Sequence, residues 1–394
     1  MGKTTIRPEV RLKKKLRKYI LRGHPWVFDK GVEGTEKLQA GELVQVVDEH
    51  GAIAVAYVDP KSPIRLRILD LHPNAKVDGG WLQWRARRAA QHRSSDPLLQ
   101  NTDALRLIHG EADGLPGLVV DCYAGHGVVL LDGPAAEALW LPLLPQLKQG
   151  LASGGFPLSE MYVRRVGRER KWIGKAPSKT VRIREGQAVM EVDLQNGQKT
   201  GLFLDQRANR ELVGQLSRGL RVLNLFSYTG GFSLAAALGG AKHTTSVDIS
   251  APATEAAKRN FKLSSLNQNK HEFVAADVFA FLQTAIAKNR KYDLVICDPP
   301  SFASSEKALK KGLRAYRQVN EMALQVVSEG GVFCSASCSS HVTSKHMLEV
   351  LSDASSAVKR DLIVRQQRGA ASDHPLRPGF PEGHYLSFFY CSVD

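Results

Sequence analysis

Val222-Leu223-Asn224-Leu225-Phe226-Ser227-Tyr228-Thr229-Gly230-Gly231-Phe232-Ser233 reads as an apolar strand that runs into a glycine turn and opens a helix. Glycine lets the backbone approach a ligand closely, and a helix start offers N–H groups that have no partner within the helix. The segment has neither the G-x-G-x-x-G spacing of a dinucleotide turn nor the Gly-Lys-Ser/Thr ending of a phosphate loop, which argues against a nicotinamide or nucleoside-triphosphate site. From this point the chain alternates apolar strands with helical stretches to its end. Strands are expected at 221–226, 244–248, 272–275, 292–297, 331–335, 362–366 and 385–391. Such alternation specifies an α/β fold with a mostly parallel sheet covered by helices.

Polar groups recur where these strands end. Asp248 closes the second, Asp277 follows the third, and Asp298-Pro299-Pro300-Ser301-Phe302 follows the fourth. Any one of these aspartates reads equally well as a helix cap or turn residue. Together with the 226–230 turn they lie along one carboxyl edge, where open α/β sheets bind their ligands. The series resembles the motifs of seven-stranded S-adenosylmethionine methyltransferases. The resemblance implies that Asn224, Phe226, Tyr228, Thr229 and Gly230 lie along the methionine part of the cofactor. It also implies that Asp248 takes the ribose, that Asp277 lies near the adenine, and that Gln206 and Asp298 contribute to the same pocket. Pro299, Pro300 and Phe302 would line the place of the target base, with Phe203, Tyr228 and Phe302 as stacking candidates.

The fifth strand leads into Cys334-Ser335-Ala336-Ser337-Cys338-Ser339-Ser340. A cysteine just beyond a strand end, among serines, suits a nucleophilic thiolate; it suits a small buried residue equally well. Carbon 5 of cytosine is a poor nucleophile until a thiolate adds at carbon 6, and that chemistry needs a cysteine beside the base and a polar group at the ring edge. Cys338 and Asp298 are the candidates for those two roles. Cys297 and Cys334 sit in apolar strand sequence and read as core, and Cys122 and Cys391 as structural.

Upstream, the texture differs. The 394 residues exceed one ordinary domain, and 54 Lys+Arg against 39 Asp+Glu give a formal charge of +15, which favours a polyanionic partner. Lys13, Lys14, Lys15, Arg17, Lys18 and Arg22 form a basic cluster. Short strands at 42–47, 53–58 and 64–69, separated by turn residues, suggest a small β-barrel on which Arg65 and Arg67 give one basic face. A helix at 81–92 carries Arg85, Arg87 and Arg88. A strand–strand–helix–strand pattern, with an apolar helical stretch at 135–151, then makes a second small α/β unit. Five scattered cysteines match no metal-ligand or disulfide framework, so no metal is expected, and a reduced cytoplasmic setting is. No apolar run reaches the length of a membrane span, and no secretory signal is expected at the basic N-terminus.

Several strings widen the resemblance to nearly the whole chain. They are Arg22-Gly23-His24-Pro25-Trp26-Val27-Phe28, Gly110-Glu111-Ala112-Asp113-Gly114-Leu115-Pro116-Gly117, Lys199-Thr200-Gly201-Leu202-Phe203-Leu204-Asp205-Gln206-Arg207, Asp373-His374-Pro375 and Pro381-Glu382-Gly383. With Ser337-Cys338-Ser339, the chain resembles the bacterial 23S rRNA (cytosine-C5) methyltransferase I family. That likeness implies a PUA-like RNA-binding domain at 1–75, a small central α+β domain at 76–182 and a Rossmann-like, seven-stranded methyltransferase domain at 183–394. It further implies S-adenosylmethionine as cofactor, Cys338 as nucleophile, and 23S rRNA or a large-subunit precursor as partner. Many RNA 5-methylcytosine enzymes carry a second cysteine directly after the Pro-Pro pair; here Ser301 stands there, and the base that removes the carbon 5 proton is left open. Two other readings remain: a guanine-N rRNA methyltransferase on the same scaffold, and a non-catalytic RNA-binding ribosome-assembly protein. The oligomeric state is open, a dimer being one option.

Overall fold

The computed structural model describes residues 7–165, 172–177, 180–303 and 305–394. The chain divides into two compact units. One comprises Met1–Val181, Val192–Leu202 and Ser372–Gly383; the other comprises Arg182–Glu191, Phe203–Ala371 and His384–Asp394.

The first unit holds two sheets. The N-terminal one has six strands in the order Trp26–Phe28, Ile64–Asp70, Gly51–Val58, Leu43–Asp48, Glu9–Leu12 and Val32–Glu33. Its core is aliphatic: Val10, Val44, Val46, Ala54, Ala56, Val58 and Leu66 are fully buried. Glu9–Leu12 pairs in parallel with Leu43–Asp48, a strand hidden in the sequence by the basic cluster that follows it. The expected basic face of Ile64–Asp70 is absent. Leu66 to Leu69 are all buried, because Leu66 and Ile68 fill the barrel core while Leu69 joins the core of the second sheet. Arg67 is enclosed with them.

The second sheet has five strands, from Ala104–His109 at one edge through Leu118–Tyr123, His126–Leu131 and Glu160–Arg165 to Trp172–Ile173. The expected helix at 135–151 is two helices, Pro134–Trp140 and Leu144–Ser153, separated by the single turn Leu141–Leu143. Pro142 and Pro145 lack the N–H groups that would carry one helix through. Segment Ser372–Gly383 returns to this unit, where Phe380 meets Trp26 edge-on at 4.6 Å and Glu382 lies 3.3 Å from His24. Two strings more than 350 residues apart in sequence thereby form one cluster.

The second unit is an α/β fold built on a seven-stranded sheet. In chain order its strands are Arg221–Leu225, His243–Asp248, Glu272–Ala275, Tyr292–Cys297, Val327–Ser337, Leu362–Arg368 and Ser387–Val393. Their spatial order is third, second, first, fourth, fifth, seventh, sixth, and the seventh runs antiparallel to both neighbours. The chain order reverses beside the first strand, and a doubly wound sheet opens its ligand crevice at such a point. No helix among the described residues is long and apolar enough to cross a membrane.

Candidate active site

Strand register sets the site. Leu225 lies opposite both Val247 and Cys297, Cys297 lies opposite Ser335, and Asp248 opposite Ala275. The loops beginning at Phe226, Asp248, Ala276, Asp298 and Cys338 therefore leave the same edge of one sheet.

The first of these loops is held in an unusual shape. Phe226, Tyr228 and Gly230 have φ of 56°, 47° and 78°. Left-handed backbone at two non-glycine residues costs free energy, and such strain persists where surrounding contacts fix it, commonly at ligand sites. Here the fixing group is Asp248. Its Oδ2 accepts the Tyr228 N–H at 2.8 Å and its Oδ1 accepts the Ser250 N–H at 2.9 Å. A Cβ on Gly230 would lie 2.7 Å from the Ala257 Cβ, so the loop and the helix after Asp248 approach as closely as a glycine permits. The Ser227 hydroxyl is buried in this loop with no hydrogen-bond partner among the described residues. That orphan group, the glycine cradle and the carboxylate above it fit a ligand with an amino-acid end and ribose hydroxyls.

Asn224 and Thr229 stand further back. Asn224 is 1% exposed; its Nδ2 donates to the Ser233 Oγ at 2.9 Å, tying strand to helix, and its Oδ1 has no partner among the described residues. The Thr229 carbonyl accepts from Asn260 Nδ2 at 3.0 Å. Asp277 is exposed and caps the helix Val278–Ala287, its Oδ1 accepting the Ala280 N–H at 3.0 Å. Ile249, directly after Asp248, is 74% exposed. An isoleucine left bare here presents an apolar face next to the Asp248 carboxylate in the chain. Sequence reading passed over it because a single apolar residue in a turn carries no pattern.

Asp298 is oriented from behind. Gln206 Nε2 donates to its Oδ2 at 3.0 Å, Asn209 Nδ2 donates to Gln206 Oε1 at 2.7 Å, and Arg368 Nε donates to Asn209 Oδ1 at 3.2 Å. Gln206 thus serves Asp298. Asn209 and Arg368, which complete the chain of bonds, come from the first turn of the helix Arg207–Leu216 and from an edge strand, with no motif to mark them.

Cys338 lies 3.9 Å from the Pro299 carbonyl oxygen, so the fifth-strand loop and the Asp298-Pro299-Pro300 loop meet. Of the five cysteines it is the one not buried. Burial raises the other four thiols, Cys122 to about 11, Cys391 to about 12, and Cys297 and Cys334 further still. Phe302 packs edge-on between Phe226 (6.4 Å) and Tyr316 (4.9 Å), and Phe203 meets Tyr228 at 5.5 Å. Phe302 is partly buried, Pro299 buried and Pro300 exposed. Tyr316, another residue the sequence did not single out, accepts a 3.1 Å bond from Ser337 Oγ. Burial pushes its hydroxyl up to about 12, and nearby Cys338 and Asp298 add to that rise.

The expected RNA-binding residues belong to the first unit and differ in what they can reach. Lys13, Lys14, Lys15, Lys18 and Arg22 are exposed, as are the rings of Tyr19 and Phe28. Arg17 pairs with Asp48 at 2.6 Å, and Arg65 is partly buried. Arg67 is 4% exposed and pairs with Glu111 at 2.9 Å and Asp132 at 2.5 Å. Its charge is spent inside the unit, against the expectation that it faces a phosphate.

Residues 145–365 match the S-adenosylmethionine-dependent methyltransferase family, and residues 10–71 match the PUA-like domain. The chain is 35% identical over 398 residues to ribosomal RNA large subunit methyltransferase I of Klebsiella pneumoniae, a match covering 98% of each protein. An S-adenosylmethionine-dependent methyltransferase from Streptococcus mutans superposes with a TM-score of 0.85 at 22% identity, over 98% of this chain and 100% of that one. A methyltransferase solved with SAH gives 0.85 at 23% identity, over 99% and 100%. The two structures establish a shared fold.

Proposed function

This chain belongs to the S-adenosylmethionine-dependent methyltransferase family, with the ribosomal RNA large subunit methyltransferase I proteins as relatives, and from that membership we propose that it methylates carbon 5 of a cytosine in large-subunit ribosomal RNA through a covalent Cys338 adduct. One observation carries the choice of atom: the partly exposed Cys338 stands against the Asp298-Pro299-Pro300 loop, where a guanine-N methyltransferase would need no thiol.

S-adenosylmethionine, the cofactor of this family, supplies an electrophilic methyl group on a sulfonium. The loop 226–230 would hold its amino-acid end and Asp248 its ribose. Cys338 adds as thiolate to carbon 6 of the cytosine, which makes carbon 5 electron-rich enough to take the methyl group. Asp298, fixed by Gln206, would pair with the exocyclic amine and ring nitrogen 3 and hold a proton at that nitrogen, which offsets the negative charge the thiolate brings to the ring. Loss of the carbon 5 proton to a base and expulsion of the Cys338 thiolate from carbon 6 then restore the aromatic ring. Tyr316 keeps its proton at neutral pH and is no candidate for that base in its ground state. A base within a duplex cannot reach such a pocket, so the target is unpaired or flipped out. Lys13, Lys14, Lys15, Lys18 and Arg22, with the exposed Tyr19 between them in sequence, suit phosphate contact and base stacking on the PUA-like domain.

The test is methyl transfer from labelled cofactor to large-subunit rRNA, followed by digestion to nucleosides. Label in 5-methylcytidine is the expected result. Label in a methylguanosine supports the guanine-N reading, and no transfer despite cofactor binding supports an assembly protein.

A further inference from the structure

The first unit contains a pocket of about 590 Å³ between the helix Gly79–Ser94, the turn at Ala112 and Asp113, and the segment Ser372–Arg377. Its walls are rich in arginine. Arg93 is neutralised by a two-bond pairing with Asp113 at 2.7 and 2.8 Å, and Arg85 pairs with Asp70 at 3.0 Å. Arg88 and Arg377 make no ion pair among the described residues; Arg377 reaches only the Gly23 carbonyl, at 3.4 Å. Arg85 and Arg377 also converge. A Cβ on Gly114 (φ +72°) would lie 2.7 Å from Arg85 Nη1 and 3.7 Å from Arg377 Nη2, so the glycine in that turn leaves the space both guanidinium groups occupy. Burial and the neighbouring Arg85 hold Arg377 below the usual arginine range. Two guanidinium groups brought together with one unpaired are a setting that an anion stabilises.

Beside this pocket the same helix presents Trp84, 52% exposed, with Arg85 and Arg88 at 5.5 and 5.4 Å from its ring. An exposed indole flanked by two arginines leaves apolar surface in water that a flat partner would cover. Base stacking is such a use, and it sits naturally next to a phosphate site because base and phosphate are joined through one ribose.

We infer that the pocket lined by Arg85, Arg88 and Arg377 binds a backbone phosphate of the RNA substrate, with an adjoining unpaired base stacked on Trp84. The inference rests on the reading of RNA as substrate and adds a second contact surface to the PUA-like sheet.

Anisotropy of a fluorescein-labelled single-stranded oligoribonucleotide, titrated with the full chain over a potassium chloride series, tests it. The double variant Arg88→Gln/Arg377→Gln is expected to bind about tenfold more weakly at low salt, with the slope of log affinity against log salt flatter by about one. Trp84→Ala is expected to lose about tenfold with the slope unchanged, since stacking releases no counterions. Thermal melting of the full chain reports folding, and the exposed Arg88→Gln alone carries the same direction should Arg377 prove needed for stability. Unchanged affinity and slope in all three variants overturn the inference. So does an arginine-dependent heat of binding for inorganic phosphate with RNA affinity unaltered, which marks a free-phosphate site. Wild-type protein with no RNA affinity at any salt overturns the RNA reading itself.

Discussion

Gln206 Nε2 donates a 3.0 Å hydrogen bond to Asp298 Oδ2, and Gln206 is itself 2% exposed. A buried amide bonded to a carboxylate fixes which way the carboxylate faces, and losing such a bond to a charged group costs about 1.5–3 kcal/mol. Gln206→Ala is therefore expected to lower kcat by about tenfold or more while cofactor affinity changes little. Gln206→Glu, which sets one carboxylate against another, should be worse than the alanine. Methyl-transfer kinetics beside calorimetry of cofactor binding separate the two effects. Equal losses in both would make Gln206 a cofactor residue instead.

The cofactor loop gives a second expectation. Gly230→Ala places a Cβ 2.7 Å from the Ala257 Cβ at a φ of +78°, which strains the turn and pushes the helix after Asp248 away. The left-handed backbone alone costs about 1–2 kcal/mol for a residue with a side chain. The variant should melt at lower temperature and bind cofactor at least tenfold more weakly. Asp248→Ala should abolish binding, because the carboxylate holds the Tyr228 and Ser250 N–H groups in addition to its proposed contact with the ribose. Wild-type affinity in either variant contradicts this account of the loop.

The second unit was readable because its central strands are buried on both faces and its polar residues cluster at their ends, so the seven expected strands all recur within a few residues of their places. The barrel was read less well for the same physical reason in reverse. Arg67 alternates with apolar neighbours, which normally marks a half-exposed strand, yet a second sheet covers that face and Glu111 and Asp132 neutralise the charge. Partners that arrive from distant sequence leave no local trace. Neither Gln206 on Asp298 nor Tyr316 beside Ser337 follows from periodicity or spacing. The Pro381-Glu382-Gly383 string could be noticed in the sequence, but its meeting with His24 and Trp26 required the fold.

Thiol accessibility supplies a third expectation. Four cysteines are buried and their thiols raised, whereas Cys338 is partly exposed. Since the thiolate is the reactive form, the native protein should titrate one thiol rapidly with a disulfide reagent and the other four only on unfolding. Cys338→Ser should remove the fast phase alone. A fast phase that survives the substitution would place the reactive thiol elsewhere.

Stability should also respond to mild acid. Burial, with His243 and Lys270 nearby, pushes His271 down to about 4 from 6.5, and its Nδ1 accepts the Thr244 N–H at 3.2 Å. The folded state thus resists a proton that the unfolded chain accepts below about 6.5. The resulting stability is fully present above pH 6.5 and is lost as pH falls toward 4. Buried His109, also held low, acts in the same direction. Denaturant midpoints measured between pH 7 and 5 should fall in the wild type and fall less in His271→Gln. A midpoint that rises with acid would reverse the assignment.

The covalent role of Cys338 is most directly tested with RNA containing 5-fluorocytosine, incubated with the protein and S-adenosylmethionine. Fluorine at carbon 5 blocks the final elimination, so the wild type should accumulate a denaturation-resistant protein–RNA adduct, and Cys338→Ala should form none while binding cofactor normally. An adduct in the alanine variant, or methyl transfer to cytosine at the wild-type rate without Cys338, would contradict the mechanism.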